Sequence, residues 1–318
     1  MYFNTKRENK NFLILIFIIG ILISSIYSIY NIHKFDKNEN NRHIMIRGDT
    51  ALIWREAEAF KHDLINDNNF FGKGIEYTRT FLPSKIIAFY SLIFNQELYE
   101  DSKNEIIKEK GKLIFLLFQI TIYYLGLLFL YKKLLLFYDE KNISLYVVSY
   151  LALDPNIIQW HGTFWTESIF TTLQIFLIGI ILSKNKTNLY FLFIGLFLGL
   201  MFLQKTVGVL FILFIIFYVV LTESDNKKFK TANILIGYLL VLSLLSLDNY
   251  KKTGIFYFMP TQTKNAHYVV LIPQIYAEKN DLETYYQLKK TEKKWKEDNL
   301  YSEDNFKSIY NLRKFQQQ

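Results

Sequence analysis

Three acidic residues stand where a carboxylate can carry out acid–base chemistry. Asp49 opens a run of apolar residues at helical spacing, and Asp154 comes directly before Pro155. Glu167 interrupts an otherwise uncharged apolar run. A positioned carboxylate can take a proton from a hydroxyl group and so activate its oxygen as a nucleophile. A charge within an apolar run costs about 2.5–3.5 kcal/mol to place in a membrane, which makes Glu167 a functional candidate.

Each acid also has a structural alternative. An Asp that follows Gly and precedes a periodic apolar run is a common helix N-cap, and spacing alone favours that role for Asp49. A cap and a general base are compatible roles. Glu167 lies close in sequence to Trp160 and Trp165, which are typical of a membrane interface. A shallow, hydrated position without a functional role is therefore as well supported as a functional role for Glu167. Asp154 is typical of a hydrated helix end.

The cation of greatest interest is Lys205, which lies between two apolar runs. It could pair with Glu167 or Asp154, or bind an anionic lipid phosphate as a point charge. The structural alternative, which the sequence alone favours, is a side chain that extends to the headgroups. Further phosphate candidates are Arg55, Arg79 and Lys85.

Several chemistries have no support in the sequence. The chain contains no Cys, which excludes disulfides, thiolate metal sites and cysteine nucleophiles. The histidines show no tight ligand spacing, and there is neither a glycine-rich phosphate loop nor a Gly-x-Ser-x-Gly elbow. The sequence therefore predicts no metal site and no cofactor. Dependence on a divalent metal is the alternative that the sequence does not exclude.

The elements that must position these residues are long apolar runs. Five of them carry no charge, and they are 11–30, 113–131, 187–204, 206–222 and 231–247. Another, 164–183, is broken only by Glu167. About 20 apolar residues of helix cross a bilayer, so these runs predict membrane spans. The segment 143–160 is ambiguous because Asp154 and Pro155 interrupt it. Treating it as a seventh span places most lysines of the short connections on one side, as the positive-inside rule requires.

This topology predicts an all-α polytopic membrane protein with about seven transmembrane helices, its N-terminus in the cytoplasm. Residues 1–250 form the predicted transmembrane domain and 251–318 an extracytoplasmic C-terminal segment. The formal net charge of +8 is mostly the lysines of the cytoplasmic connections, so a nucleic-acid role has no support. Gly195 and Gly199 have the spacing that is typical of close packing between transmembrane helices.

The first outer loop, 31–112, is too long to be a simple connector. Its helix-like run to Ile65 has apolar residues at three- and four-residue steps, so one face is predicted to lie on the bilayer surface. These apolar residues are Ile53, Trp54, Ala57, Phe60 and Leu64. A second apolar stretch, 80–94, is too short to span comfortably and is predicted to pack at the membrane interface or to enter the outer leaflet.

Together these features resemble the GT-C glycosyltransferase superfamily, in particular its bacterial protein-O-mannosyltransferase-like and aminoarabinose-transferase-like members. The resemblance rests on the order and common side of four groups of residues, with no single group specific. They are Gly48-Asp49-Thr50 with Arg79-Thr80-Phe81-Leu82-Pro83; Leu153-Asp154-Pro155 with Thr166-Glu167; Gln204-Lys205-Thr206-Val207-Gly208; and Asp248-Asn249-Tyr250.

The resemblance implies roles for particular residues. Asp49 is the implied general base of an inverting transfer from a polyprenyl-phosphate sugar, with Glu167 as a supporting acid. Lys205 is an implied contact of the donor phosphate, although relatives usually have Arg there and Lys supplies only a point charge. The remaining implied residues are Arg79 and Arg55 as phosphate contacts, and Asp154, His161, Asn249 and Tyr250 as supporting groups.

The implied partners are the polyprenyl-phosphate-linked sugar, an extracytoplasmic acceptor and the bilayer, in the bacterial inner membrane with the active side extracytoplasmic. This sequence differs from the family pattern in two respects that bear on its activity. Asp248 stands where relatives usually carry Arg, and relatives generally continue with more spans, which implies a truncated or minimal member. The alternatives are a lipid or glycan transporter, which should place polar groups or broken helices near the midplane, and a non-catalytic membrane scaffold.

Overall fold

A computed structural model of the protein describes residues 2–36, 49–67, 81–94, 99–101, 106–107, 109–138, 141–163, 166–183, 187–223, 225–253, 256 and 282–299. The helices are α1 (Tyr2–Asp36), α2 (Asp49–Asp67), α3 (Phe81–Ile93), α4 (Glu109–Tyr138), α5 (Lys141–Leu153), α6 (Pro155–His161), α7 (Thr166–Ile181), α8 (Asn188–Gln204), α9 (Val209–Thr222), α10 (Lys227–Thr253) and α11 (Leu282–Asp298). A short antiparallel pair, β1 (Tyr99–Asp101) and β2 (Ile106–Ile107), accompanies them.

The predicted class, an all-α polytopic membrane protein, is confirmed. Among the described residues, three helices are long and apolar enough to cross a membrane, over Asn11–Asn31, Leu113–Tyr138 and Lys227–Leu247. Shorter apolar helices cover Leu82–Ile93, Thr166–Ile181, Asn188–Gln204 and Thr206–Thr222. The predicted span 143–160 consists of two helices, α5 and α6, which meet at Asp154.

The chain divides into two units. One comprises Met1–Gly72 with Leu82–Val241, and the other comprises Lys73–Phe81 with Leu242–Gln318. In the second unit, α11 carries two ion pairs within one helix, because Glu292 contacts Lys289 at 3.3 Å and Lys296 at 3.0 Å.

Helix α4 is the centre of the first unit and packs against α1, α5 and α7. Its buried side chains recur at three- and four-residue steps, as one face of a helix requires. They include Ile120, Tyr123, Tyr124, Leu127, Leu130 and Leu134. Leu117, Leu125 and Leu128 lie on the exposed side of the same helix. Apolar side chains on the exposed surface are what a helix surrounded by lipid needs.

Helix α1 also exposes apolar side chains, and in addition it buries polar ones. Its inward positions change from apolar Leu13 and Ile16 to polar Ser24, Ser28 and Asn31, all of them buried. Phe12, Ile18, Leu22 and Ile26 are exposed on its other sides. A helix with polar groups inside and apolar groups outside is stable in lipid and not in water, which agrees with its predicted membrane span.

Helix α2 does not lie as predicted. Ile53, Ala57 and Phe60 are buried in one apolar cluster with side chains of α3 and α4, such as Ala88 and Leu116. The prediction that this face lies on the bilayer surface is therefore wrong, because a periodic apolar face packs equally well on protein as on lipid. The first loop thus shares an apolar core with α4 and with Ile169 of α7.

The break between α5 and α6 is completed by hydrogen bonds from α4. Pro155 has no N–H, so it cannot donate to the carbonyl of Leu151 four residues earlier. The N–H of Asn156 donates to the Asp154 side chain at 2.9 Å. The hydroxyl groups of Tyr123 and Tyr124 donate instead to the carbonyl oxygens of Leu151 and Ala152, at 2.6 and 2.8 Å. The break therefore leaves neither carbonyl without a donor.

Helices α8 and α10 meet at glycines, as the spacing of Gly195 and Gly199 predicts. A side chain at Gly195 would collide with the carbonyl group of Ile234, and one at Gly237 would collide with the backbone of α8. A Cβ at Gly199 would lie 2.6 Å from Cβ of Val241. These approaches are closer than any side chain permits, which confirms the predicted close packing.

Candidate functional site

The candidate site is built on the start of α7 and the end of α8. Lys205 Nζ lies 2.6 Å from Glu167 Oε1, which makes a charge-assisted hydrogen bond. The Thr166 hydroxyl donates to the other carboxylate oxygen, Oε2, at 3.3 Å. The side chains are 34% exposed for Lys205 and 21% exposed for Glu167, so the pair is accessible. Of the two acids predicted as partners of Lys205, Glu167 is the one that the structure pairs with it.

Local backbone structure explains why Lys205 reaches this position. It ends α8 in an extended conformation, with φ −155° and ψ 128°, and a 3₁₀ turn over Thr206–Gly208 follows. The Gly208 N–H donates to the Lys205 carbonyl at 2.8 Å. A Cβ at Gly208 would lie 2.8–2.9 Å from the backbone of Met201 and Phe202, so only glycine allows the turn to close on α8.

Two glutamines fix the connection that leads into Glu167. Gln119 Nε2 donates to the carbonyl of Thr163 at 3.1 Å, and Gln204 Nε2 donates to the carbonyl of Thr166 at 3.3 Å. Both side chains are fully buried. Gln204 precedes Lys205 as Thr166 precedes Glu167, so the last residue of α8 and its C-cap bind the first two residues of α7. The sequence analysis did not name Gln119 and gave Gln204 no role of its own. The only sign of either hydrogen bond in the sequence is an amide within or at the end of an apolar run.

His161 is enclosed beside this connection. Its Nδ1 lies 2.9 Å from the Ser168 hydroxyl, and its ring centroid lies 4.4 Å from that of Tyr123. His161 lies one residue beyond the predicted span 143–160, and burial lowers its pKa to about 4. The ring is therefore neutral at pH 7. Its Nε2 is buried without a hydrogen-bond partner among the described residues.

Two other candidates have structural contacts. The Asp154 side chain accepts the Asn156 N–H and caps α6, as a helix-end residue does. Lys85 is buried, with Nζ 3.6 Å from the centroid of the Phe60 ring, so this cation lies in the protein interior.

The remaining predicted residues are placed only in part. Asp49 is the first residue of α2 and Arg55 lies in the same helix, but both side chains lie outside the described residues, as does all of Arg79. Asn249 and Tyr250 belong to the second unit, where Asn249 is buried and Tyr250 exposed. Within the described part of the chain, no group of three or more His, Asp or Glu residues could hold a metal ion.

Residues 104–247 match the family model described as dolichyl-phosphate-mannose-protein mannosyltransferase. No curated protein and no solved structure matches the chain. The matched segment includes Glu167 and Lys205 and excludes Asp49. Over this segment, which runs from just before α4 into α10, the chain is similar to the mannosyltransferase family, and this confirms the predicted resemblance to membrane glycosyltransferases of the GT-C type.

Proposed function

We propose that the protein transfers a sugar from a polyprenyl-phosphate-linked donor to an acceptor on the extracytoplasmic side of a bacterial inner membrane. The observation that carries this proposal is the Glu167–Lys205 ion pair, at helix ends within the segment that is similar to the mannosyltransferase family. A lipid-linked donor keeps its chain in the bilayer and its phosphate at headgroup level. Polar groups at helix ends lie at the depth where such a phosphate is found.

In this proposal the acceptor oxygen attacks the anomeric carbon of the sugar while the bond from that carbon to the phosphate oxygen breaks. Asp49 takes the acceptor proton as general base. The electron pair of the broken bond leaves with the lipid phosphate. Lys205 stabilises the charge that develops there, and Arg79 and Arg55 are further phosphate contacts.

Glu167 supports the site by positioning the ammonium group of Lys205. The hydrogen bond of 2.6 Å fixes one carboxylate oxygen on Nζ, and the Thr166 hydroxyl contacts the other oxygen. His161 and Asp154 support the site indirectly, by holding the backbone near it. His161 packs beside the connection into α7, and Asp154 caps α6. Asn249 and Tyr250 are further supporting residues in this proposal.

The test is transfer of labelled sugar from polyprenyl-phosphate donors by the full chain in purified membranes. Asp49→Asn keeps the size and capping ability of the side chain and removes its basicity. We expect it to lower the rate by about 10²–10⁴-fold, the usual contribution of a general base. The matched control is Asp225→Asn, an exposed acid in the α9–α10 connection, which should keep wild-type activity.

The outcomes separate the proposal from its alternatives. Full activity of Asp49→Asn would keep the enzyme and leave Asp49 only the role of a helix cap. No transfer with any donor, combined with movement of a labelled polyprenyl-phosphate sugar across vesicles that contain the protein, would identify a transporter. If the protein shows neither sugar transfer nor lipid movement, the result would support the non-catalytic scaffold.

A further inference from the structure

The donor and the lipid product of the proposed reaction differ in charge. The donor is a phosphate diester with one negative charge. Once the sugar has left, the lipid carries a phosphate monoester with about −1.5 to −2 charges at pH 7. A site that holds the phosphate by charge alone would therefore bind its product more tightly than its donor.

In the candidate site, the positive charge of Lys205 is opposed by the negative charge of Glu167. An ammonium group has three N–H donors, and the contact with Glu167 Oε1 uses one of them. Because Lys205 is 34% exposed, a phosphate oxygen can approach the same nitrogen. A phosphate bonded there lies within about 6 Å of the carboxylate, since both groups contact one atom. The formal charges of Lys205 and Glu167 cancel.

The carboxylate is also held in place. The Thr166 hydroxyl contacts its second oxygen, and the buried Gln204 side chain joins the end of α8 to the start of α7. An arriving phosphate therefore meets a fixed negative charge. Coulomb repulsion is proportional to the charge of the ligand, so the carboxylate repels a doubly charged monoester about twice as strongly as a singly charged diester.

Resting on the proposed function, we propose that Glu167 is a specificity-determining residue that weakens the binding of phosphate monoesters more than that of phosphate diesters. Its carboxylate offsets the preference of Lys205 for the more highly charged ligand. The consequence is release of the lipid phosphate after transfer, with the donor retained.

The test compares two lipids that differ only in charge, polyprenyl phosphate and its methyl ester. Neither carries a sugar, so sugar recognition does not contribute. Binding of each to the full chain is measured at pH 8 in phosphatidylcholine nanodiscs, by competition with the radiolabelled methyl ester. Inorganic phosphate and nanodiscs with phosphatidylglycerol are separate arms, which distinguish a free anion and an ordinary headgroup from the polyprenyl lipid.

The quantity of interest is the ratio of monoester affinity to diester affinity. We expect Glu167→Gln to raise this ratio about tenfold, as one unit charge about 6 Å away in a partly hydrated site predicts. Lys205→Gln should change it in the opposite direction. The matched control is Glu223→Gln, which breaks a second Lys–Glu pair of the same length, Lys230 to Glu223 at 2.6 Å, and should leave the ratio unchanged.

A ratio that Glu167→Gln leaves unchanged or lowers would overturn the inference, even with transfer activity established. A raised ratio in a protein that transfers no sugar would keep the inference about charge and refute the transferase. If the wild type binds neither polyprenyl lipid, both the phosphate role of Lys205 and this inference fail. Competition by inorganic phosphate or phosphatidylglycerol as strong as that of polyprenyl phosphate would likewise overturn the assignment to a lipid-linked phosphate.

Discussion

The hydroxyl group of Tyr124 and the carbonyl oxygen of Ala152 form a 2.8 Å hydrogen bond that joins α4 to the last turn of α5. Helix α1 also approaches this bond, because a Cβ at Gly20 would lie 2.7 Å from the same carbonyl and collide with the tyrosine hydroxyl. Three helices thus meet where the chain cannot make its own helical hydrogen bonds.

Removal of a hydroxyl group at this break should destabilise the protein. Tyr123→Phe leaves the carbonyl of Leu151 without its donor, which costs about 1–3 kcal/mol for a buried polar group. We expect that loss in the free energy of unfolding in mixed micelles. Tyr146→Phe, on an exposed side chain of α5, should change the free energy by less than about 0.5 kcal/mol.

The same bond allows a sharper test. Pro155→Ala restores an N–H that can donate to Leu151, so Tyr123→Phe should cost less in that background than in the wild type. Equal costs in the two backgrounds would mean that the hydroxyl stabilises the protein by some route other than capping this carbonyl.

The glycine contact between α8 and α10 should not accept a side chain. Gly195→Ala places a methyl group against the carbonyl of Ile234, and overpacking of this kind costs about 1–3 kcal/mol. The comparison is Gly126→Ala, where the new Cβ would lie 3.3 Å from the flexible Phe176 side chain. Thermal unfolding should show a clear loss for Gly195→Ala and a much smaller change for Gly126→Ala.

The buried amide of Gln204 should matter more than an exposed one. Gln204→Met keeps the length of the side chain but removes the hydrogen bond to the carbonyl of Thr166, with an expected cost of about 0.5–1.5 kcal/mol. Gln159 makes an equivalent bond on the protein surface, to the Asn156 carbonyl at 3.1 Å, where water can replace it. Gln159→Met should therefore be nearly neutral in the same unfolding measurement.

Acid should destabilise the protein through His161. Its pKa is about 4 in the folded chain, below the ordinary 6.5, so the unfolded state takes up the proton first. Stability is therefore lost as the pH falls from 6.5 towards 4, by about 3 kcal/mol for a shift of this size. His161→Gln should show a flatter dependence of unfolding free energy on pH in that range. The exposed His62→Gln should keep the wild-type slope.

Sequence patterns predicted the helices well where a long apolar run dominates, as in α4, and they predicted the glycine contact at Gly195. They could not choose between Glu167 and Asp154 as the partner of Lys205, because both acids stand near the same helix ends and only the packing of α8 on α7 decides. The hydrogen bonds of the Gln119 and Gln204 side-chain amides could not be predicted for the same reason, since each joins residues more than 35 positions apart.

The buried face of α2 illustrates a different limit. Its periodicity predicted an amphipathic helix, and Ile53, Ala57 and Phe60 do share one face. Periodicity does not say whether that face meets lipid or protein. Only the tertiary structure shows that α3 and α4 cover it.

The break at Pro155 has a consequence for how the chain enters the membrane. A translocating α5 exposes two carbonyl groups that its own backbone cannot satisfy, and hydrocarbon offers no donor. Tyr123 and Tyr124 precede it in the chain, so their hydroxyl groups have already left the ribosome when this helix emerges. The order of synthesis thus supplies the donors before the acceptors need them, and we expect α5 to insert into the membrane with α4 beside it.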